Sequence, residues 1–186
     1  MTEVSSLTGR LLVAAPALTD PNFDRAVVLL LDHDEEGSLG VVLNRPTPVG
    51  VGDILASWAG LTGEPDVVFQ GGPVSLDSAL GVAVIPGDEG PLGWRRVHGA
   101  IGLVDLETPP ELLGPALGSL RIFAGYAGWG PGQLEGELNE SAWYVVESEP
   151  GDVSSPRPER LWRAVLRRQR SELAMIATYP DDPSLN

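Results

Sequence analysis

Apolar residues in this chain come in short β-branched runs cut by glycine, proline and acidic turns, with little clean alternation. Runs of that length bounded by turn residues predict strands rather than helices. The clearest is "RAVVLLLDHDEEGSLGVVLNRP", residues 25–46, which reads as a hairpin around an acidic, glycine-containing turn. Neither arm alternates, so both faces of this hairpin are expected to be buried. Further strands are predicted at 9–16, 66–74, 80–87, 99–106, 119–126 and 141–148, with a loop through Trp94. Helices are expected at 51–61, capped at or just before Asp53, and at 108–117, capped by Thr108 with prolines in the first turn. Others are expected after Gly132 and across 157–170, the latter following a Pro- and Ser-rich linker at 149–158. Hairpins early and helices later imply an α+β fold rather than a βαβ repeat.

The stretch "GYAGWGPGQLEGEL", residues 125–138, follows an apolar run and precedes a helical one, the order found at phosphate-binding loops. Its spacing, G-x-x-G-x-G-x-G, is neither the dinucleotide fingerprint nor a P-loop. Pro131 removes a backbone donor, and Glu135 and Glu137 complement the positive end of the helix and repel an anion. The glycines instead suit tight turns and close backbone approach, with Tyr126 and Trp129 packed beside them as a joint or shaped surface.

Length and composition narrow the chemistry. The 186 residues suit one domain, here expected at 9–178 between tails at 1–8 and 179–186. No apolar run is long enough for a membrane helix and the N-terminus makes a poor signal peptide, so a cytoplasmic location is expected. There is no cysteine, which excludes disulfides and thiol chemistry, and no lysine: all 12 cations are arginines. The net charge of −14 makes nucleic acid an unlikely partner over most of the surface. Residues 157–170 are the exception, with six arginines and one glutamate, a local +5 that leaves −19 elsewhere. On a helix, Arg160, Arg163, Arg167 and Arg170 share one face, and Leu161, Trp162, Val165 and Leu166 the other. The favoured reading of this row is neutralisation of the molecule's own acidic surface; the alternatives are DNA, an acidic partner or anionic lipid.

The acidic turn "DHDEEG" fails as an EF-hand, because Leu43 stands where the bidentate glutamate belongs. Only two histidines, His33 and His98, are present to form a zinc site, and no metal or other cofactor is expected. Ser38 in "EGSLG" lacks the first glycine of a nucleophile elbow, and a Ser38–His33–Asp32 triad would demand geometry a hairpin does not offer by itself. Asp20 and Asp24 bracket Arg25 as turn starter and ion-pair partner.

Taken in order, "LLVAAPALTDPNFDRAVVLLLDHDEEGSLGVVLNRP", "FQGGPV" and "GYAGWGPGQLEGEL", with "WYVV" and "LW" behind them, resemble the AlgH/YqgE family across residues 9 to about 166. The resemblance implies a bifurcated mixed sheet, partly closed into a small barrel and surrounded by helices. It brings no established activity, although members are often labelled transcriptional regulators. The ending "RRQRSELAMIATYPDDPSLN" departs from the Gly-rich ending of the family, so no C-terminal role carries over.

Placing the family-like polar residues on these elements suggests one cleft, formed by Arg25, His33, Asn44, Gly71, Gly72, Trp129, Gln133 and Glu137. Three functions stay open. The first is a non-enzymatic protein that binds a small polar ligand or a protein partner, possibly as a regulator. The second is a hydrolase-like enzyme using His33 with carboxylates. The third is a DNA-binding regulator acting through the basic helix 157–170. The oligomeric state is not legible.

Overall fold

The structure is a computed structural model and describes residues 6–87 and 89–180; the remainder of the two expected tails lies outside them. Ten strands and six α-helices are described. The strands are β1 (Arg10–Ala14), β2 (Val27–Asp34), β3 (Gly37–Val42), β4 (Pro46–Gly50), β5 (Val67–Gln70), β6 (Val74–Val84), β7 (Trp94–His98), β8 (Ile101–Val104), β9 (Ser119–Trp129) and β10 (Trp143–Glu147). The helices are α1 (Val51–Ile54), α2 (Pro110–Leu113), α3 (Gln133–Asn139), α4 (Pro150–Val153), α5 (Leu161–Arg167) and α6 (Leu173–Ile176). The strands run in the order β10-β1-β2-β3-β9-β6-β8-β7, with β4 and β5 as a side branch, and the curled sheet forms a half-barrel in a single α+β domain.

β9 is where the sheet divides. Along one edge it pairs antiparallel with β6. On the other edge Phe123 and Ala124 pair parallel with Phe69 and Gln70 of β5, and residues 127–129 pair antiparallel with Gly40, Leu39 and Ser38 of β3. Two branches therefore leave the same edge of one strand. Between them Gly71 donates its N–H to Ala124 and accepts at its carbonyl from the Val42 N–H. Gly72 then carries the chain across β9, so that β6 begins opposite Tyr126 on the other edge.

That crossing accounts for the paired glycines. A Cβ on Gly72 would lie 2.2 Å from the Tyr126 backbone, and one on Gly71 would lie 2.4 Å from the Gly125 carbonyl oxygen. Gly125 itself sits at φ +74°, in the left-handed region. The glycine stretch is thus a strand as far as Trp129 and only turns at 130–132, a correction to the loop read from its composition.

Both sheet faces are covered, as the unbroken apolar runs predict. Leu29, Leu31, Phe69, Val82 and Phe123 face the concave side, where Val153, Leu161, Trp162, Val165 and Leu166 close it. Leu12, Val28, Leu30, Trp129 and Trp143 face the other side under Leu134 of α3. Trp58, Trp94, Leu120 and Ile122 form a third cluster with Val51 and Leu113 of the short helices α1 and α2.

Other local expectations are corrected. Trp94 opens β7 rather than lying in a loop; it pairs with Val104 and its indole donates to the Ala83 carbonyl. The caps of α1 and α2 are Gly50 and Pro109, without side-chain bonds, in place of Asp53 and Thr108. The presumed linker holds α4, fixed by a capping box between Glu149 and Asp152. Asp152 is buried and takes a two-pronged hydrogen bond from Arg168, 2.6 and 2.7 Å, which raises the Arg168 pKa.

Arg121 is a buried cation on the concave side, 3% exposed. It donates to the Glu64 carbonyl and lies over Phe69, but its Nη1 has no partner, and desolvation lowers its pKa to about 10. Because burial penalises this charge without a compensating carboxylate, Arg121→Met is expected to leave stability unchanged or raise it. Gly72→Ala is expected to lose about 2 kcal/mol or more, since backbone rather than side chain must yield. Exposed Gly136, in α3 with open space around its Cα, is the control: Gly136→Ala should gain about 0.5–1 kcal/mol. Urea unfolding of the three variants measures all of these.

Candidate functional site

The residues expected to share one cleft fall into three settings. The first is a closed polar hub at the start of α3. The Gly130 N–H donates to Gln133 Oε1, and Gln133 Nε2 donates to Glu137 Oε2 at 3.1 Å. Glu137 Oε1 accepts from two indoles, Trp129 at 3.1 Å and Trp143 at 2.9 Å. Phe23 packs against both indole rings. The i, i+4 spacing of Gln133 and Glu137 does place them together, but their polar groups are directed at the protein's own tryptophans.

His33 borders this hub from the neighbouring hairpin. A register shift between Leu30 and Asp32 places His33 opposite Ser38, and its Nδ1 lies 2.6 Å from Ser38 Oγ. Its Nε2 is 3.8 Å from Glu135 Oε1, and the His33 side chain is 1% exposed. Glu135, not Asp32, is the third member of this arrangement. Ser38 lines a shallow pocket of about 230 Å³ with Asp32, Asp34 and Glu36.

The second setting holds Arg25 and Asn44. Asn44 accepts from the Val27 N–H and donates to the Arg25 carbonyl, which fixes the entrance to β2. Arg25, at φ +57°, lies 4.2 Å from the centre of the Trp162 ring and donates through Nη2 to the Pro180 carbonyl. Among the described residues its Nε and Nη1 have no hydrogen-bond partner.

The third is a pocket of about 210 Å³ beside the Gly71–Gly72 crossing, lined by Pro21, Asn22, Val42, Arg45, Gln70, Gly72 and Pro73. Three sequence segments meet here: "DPNFDR", "VVLNRP" and "FQGGPV". Arg45 pins the first across the pocket by donating to the Pro21 and Asp24 carbonyls, at 3.1 and 2.7 Å. The backbone of Gln70 is tied to the Arg45 carbonyl, and its exposed side-chain amide makes no hydrogen bond within the described residues. The same holds for the side chain of Asn22, whose turn is fixed through its backbone N–H by Asp20.

Asn22, Arg45 and Gln70 lie within one to three positions of the residues chosen from the sequence. A signal existed in the motif segments themselves. What the sequence does not carry is which neighbour in each segment faces the crossing. No group of three or more His, Cys, Asp or Glu positioned to hold a metal ion occurs among the described residues. Nor is any described helix long and apolar enough to cross a membrane.

If the hub is structural, Glu137→Ala strands two buried indole donors and is expected to cost at least about 2 kcal/mol, with a shift in tryptophan emission. Gln133→Ala removes only an exposed contact and is expected to cost under about 1 kcal/mol, again measured by urea unfolding.

The model of the AlgH-like family matches residues 11–174 of this chain. A UPF0301 protein of Streptomyces avermitilis is 87% identical over all of this chain and 98% of its own length, and one of Streptomyces coelicolor is 85% identical over the same shares. Among solved structures, a Corynebacterium diphtheriae protein is similar with a TM-score of 0.89 at 31% identity, covering 96% of this chain and 95% of that one. The AlgH protein of Pseudomonas aeruginosa is similar with a TM-score of 0.69 at 26% identity, covering 97% of this chain and 98% of its own. With the forked sheet, the glycine crossing and these matches over nearly the whole chain, the protein belongs to the AlgH-like family.

Proposed function

We propose that the protein is a non-enzymatic binding protein that takes a small polar ligand, or the polar tip of a protein partner, in the pocket beside the Gly71–Gly72 crossing. The observation that carries this reading is the meeting of three separate motif segments on one pocket, with the Asn22 and Gln70 amides unengaged there. Each amide offers donors and an acceptor, so the fitting ligand presents both. Arg45 acts as a positioning residue: its guanidinium binds two turn carbonyls and holds the Asn22 turn over the opening. The surrounding backbone is rigid, because a strand crosses another at close range beneath the pocket. Such a preformed site loses little conformational entropy on binding.

One observation supports a second reading, an enzyme that uses His33. The Ser38–His33–Glu135 row places an imidazole between a hydroxyl and a carboxylate, as acyl-transfer chemistry requires. Labelling of Ser38 by a fluorophosphonate, lost in His33→Asn, would support that reading over the first.

A thermal-shift panel of metabolites and short peptides tests the binding reading. A ligand at about 100 times its Kd adds about 2.7 kcal/mol, or roughly 5–11 °C for a chain of this size. The expected shift disappears in Asn22→Ala and Gln70→Ala while their ligand-free Tm stays within about 2 °C of the parent. Hits that persist in both variants would move the site elsewhere.

A further inference from the structure

The arginine face of α5 does not do what its sequence suggests. Of the arginines in 157–170, Arg168 pairs with Asp152 and Glu149, and Arg163 donates to the Ala177 and Tyr179 carbonyls. Arg160 and Arg167 are exposed, and neither has an ion pair or side-chain hydrogen bond among the described residues. The row therefore does not neutralise the neighbouring acidic surface. Instead Arg160, Arg163 and Arg167 line an open groove of about 490 Å³, with Ala164 leaving its floor low and Glu159 at one end. From Arg160 to Arg167 the row spans roughly 10 Å along the helix.

A groove of that length matches a compact anionic element. A duplex or an anionic membrane would extend past it over a body carrying −19. The chain itself presents a compact element of this kind. The β2–β3 tip carries four exposed carboxylates, Asp32, Asp34, Glu35 and Glu36. None of them forms an ion pair among the described residues. Asp32 and Asp34 lie on the same side of one strand, roughly 7 Å apart, and Glu36 borders the same pocket. Three carboxylates on a narrow protruding hairpin thus match three guanidinium groups on a short helix in sign, number and spacing. Arginine suits this pairing because its planar fork binds a carboxylate through two parallel bonds.

We infer that the α5 groove receives the acidic β2–β3 tip of a second copy of this chain, giving a weak head-to-tail association. Groove and tip are different surfaces, so the contact is heterologous and each copy keeps one of each unfilled. Both copies carry −14, and their bodies repel. At about 0.15 M salt the Debye length is roughly 8 Å, so body repulsion is screened more than charges in direct contact. This inference does not depend on the pocket proposed above.

Sedimentation velocity of the full chain tests it, at protein concentrations up to about 1 mM. At about 0.15 M NaCl the weight-average mass is expected to climb from 19.7 kDa towards twice that value, and to return to monomer at about 1 M. Arg160→Glu/Arg167→Glu and Asp34→Arg/Glu36→Arg are each expected to be monomeric alone. An equimolar mixture of the two, in which the intact tip of one meets the intact groove of the other, is expected to associate again and stop at a dimer. Unchanged thermal melts show that both variants are folded. A parent chain that stays monomeric at both salt concentrations overturns the inference. So does association that survives either charge reversal, a mixture that stays monomeric, or binding of duplex DNA or anionic vesicles by the arginine row in place of self-association.

Discussion

Everything in this fold hangs on one strand having two branches attached to the same edge. β9 holds β5 at Phe123 and Ala124 and β3 at residues 127–129, and the chain leaving β5 must pass over β9 before it can return as β6. Two backbones can approach that closely only where no Cβ intervenes, which is why Gly71, Gly72 and Gly125 meet at one point. The fork fixes the angle between the branches, and the concave side of the half-barrel follows from it. The polar hub, the crossing pocket and the His33 hairpin all lie next to this joint, so their geometry is inherited from backbone and not from flexible side chains.

Arginine is the only basic residue other than two histidines, and the structure shows a use for it beyond charge. Arg25, Arg45, Arg96, Arg121, Arg163 and Arg168 all donate to backbone carbonyls of turns or chain ends. A planar fork with five donors can bridge two carbonyls of one turn, as Arg45 does with Pro21 and Asp24. Loops in a chain with 17 prolines and 23 glycines have few repeating backbone bonds of their own, and these side chains provide anchors. Arg121 does this in a setting where its charge is poorly compensated. Arg160 and Arg167 are left to solvent, which is the source of the contrast between a basic groove and an acidic body.

The α+β class, the first hairpin, burial on both sheet faces and the amphipathic halves of α5 were legible in the sequence because each depends on residues close in the chain. The glycine stretch was misassigned in part for the opposite reason. Spacing of glycines reports permitted conformations, whereas the continuation of β9 to Trp129 depends on partners in β3, some 90 residues earlier. Trp94 and α4 were missed likewise. Each is held by a distant group, the Ala83 carbonyl and pairing to Val104 in one case, Arg168 in the other. The motif segments of the candidate site were correctly singled out, but one cleft was expected and three settings are found. Gln133 and Glu137 turn towards Trp129 and Trp143, while Asn22 and Gln70, which face the crossing, went unchosen.

Native-state hydrogen exchange across β9 tests most directly whether the fork is a single mechanical unit. Protected amides on both sides of Gly125, in the β6- and β5-paired half and in the β3-paired half, are expected to exchange with one opening free energy equal to that of global unfolding. Exchange of the 127–129 half through a separate opening, at distinctly lower free energy and with little dependence on denaturant, would show two independently stable sheets and contradict this account.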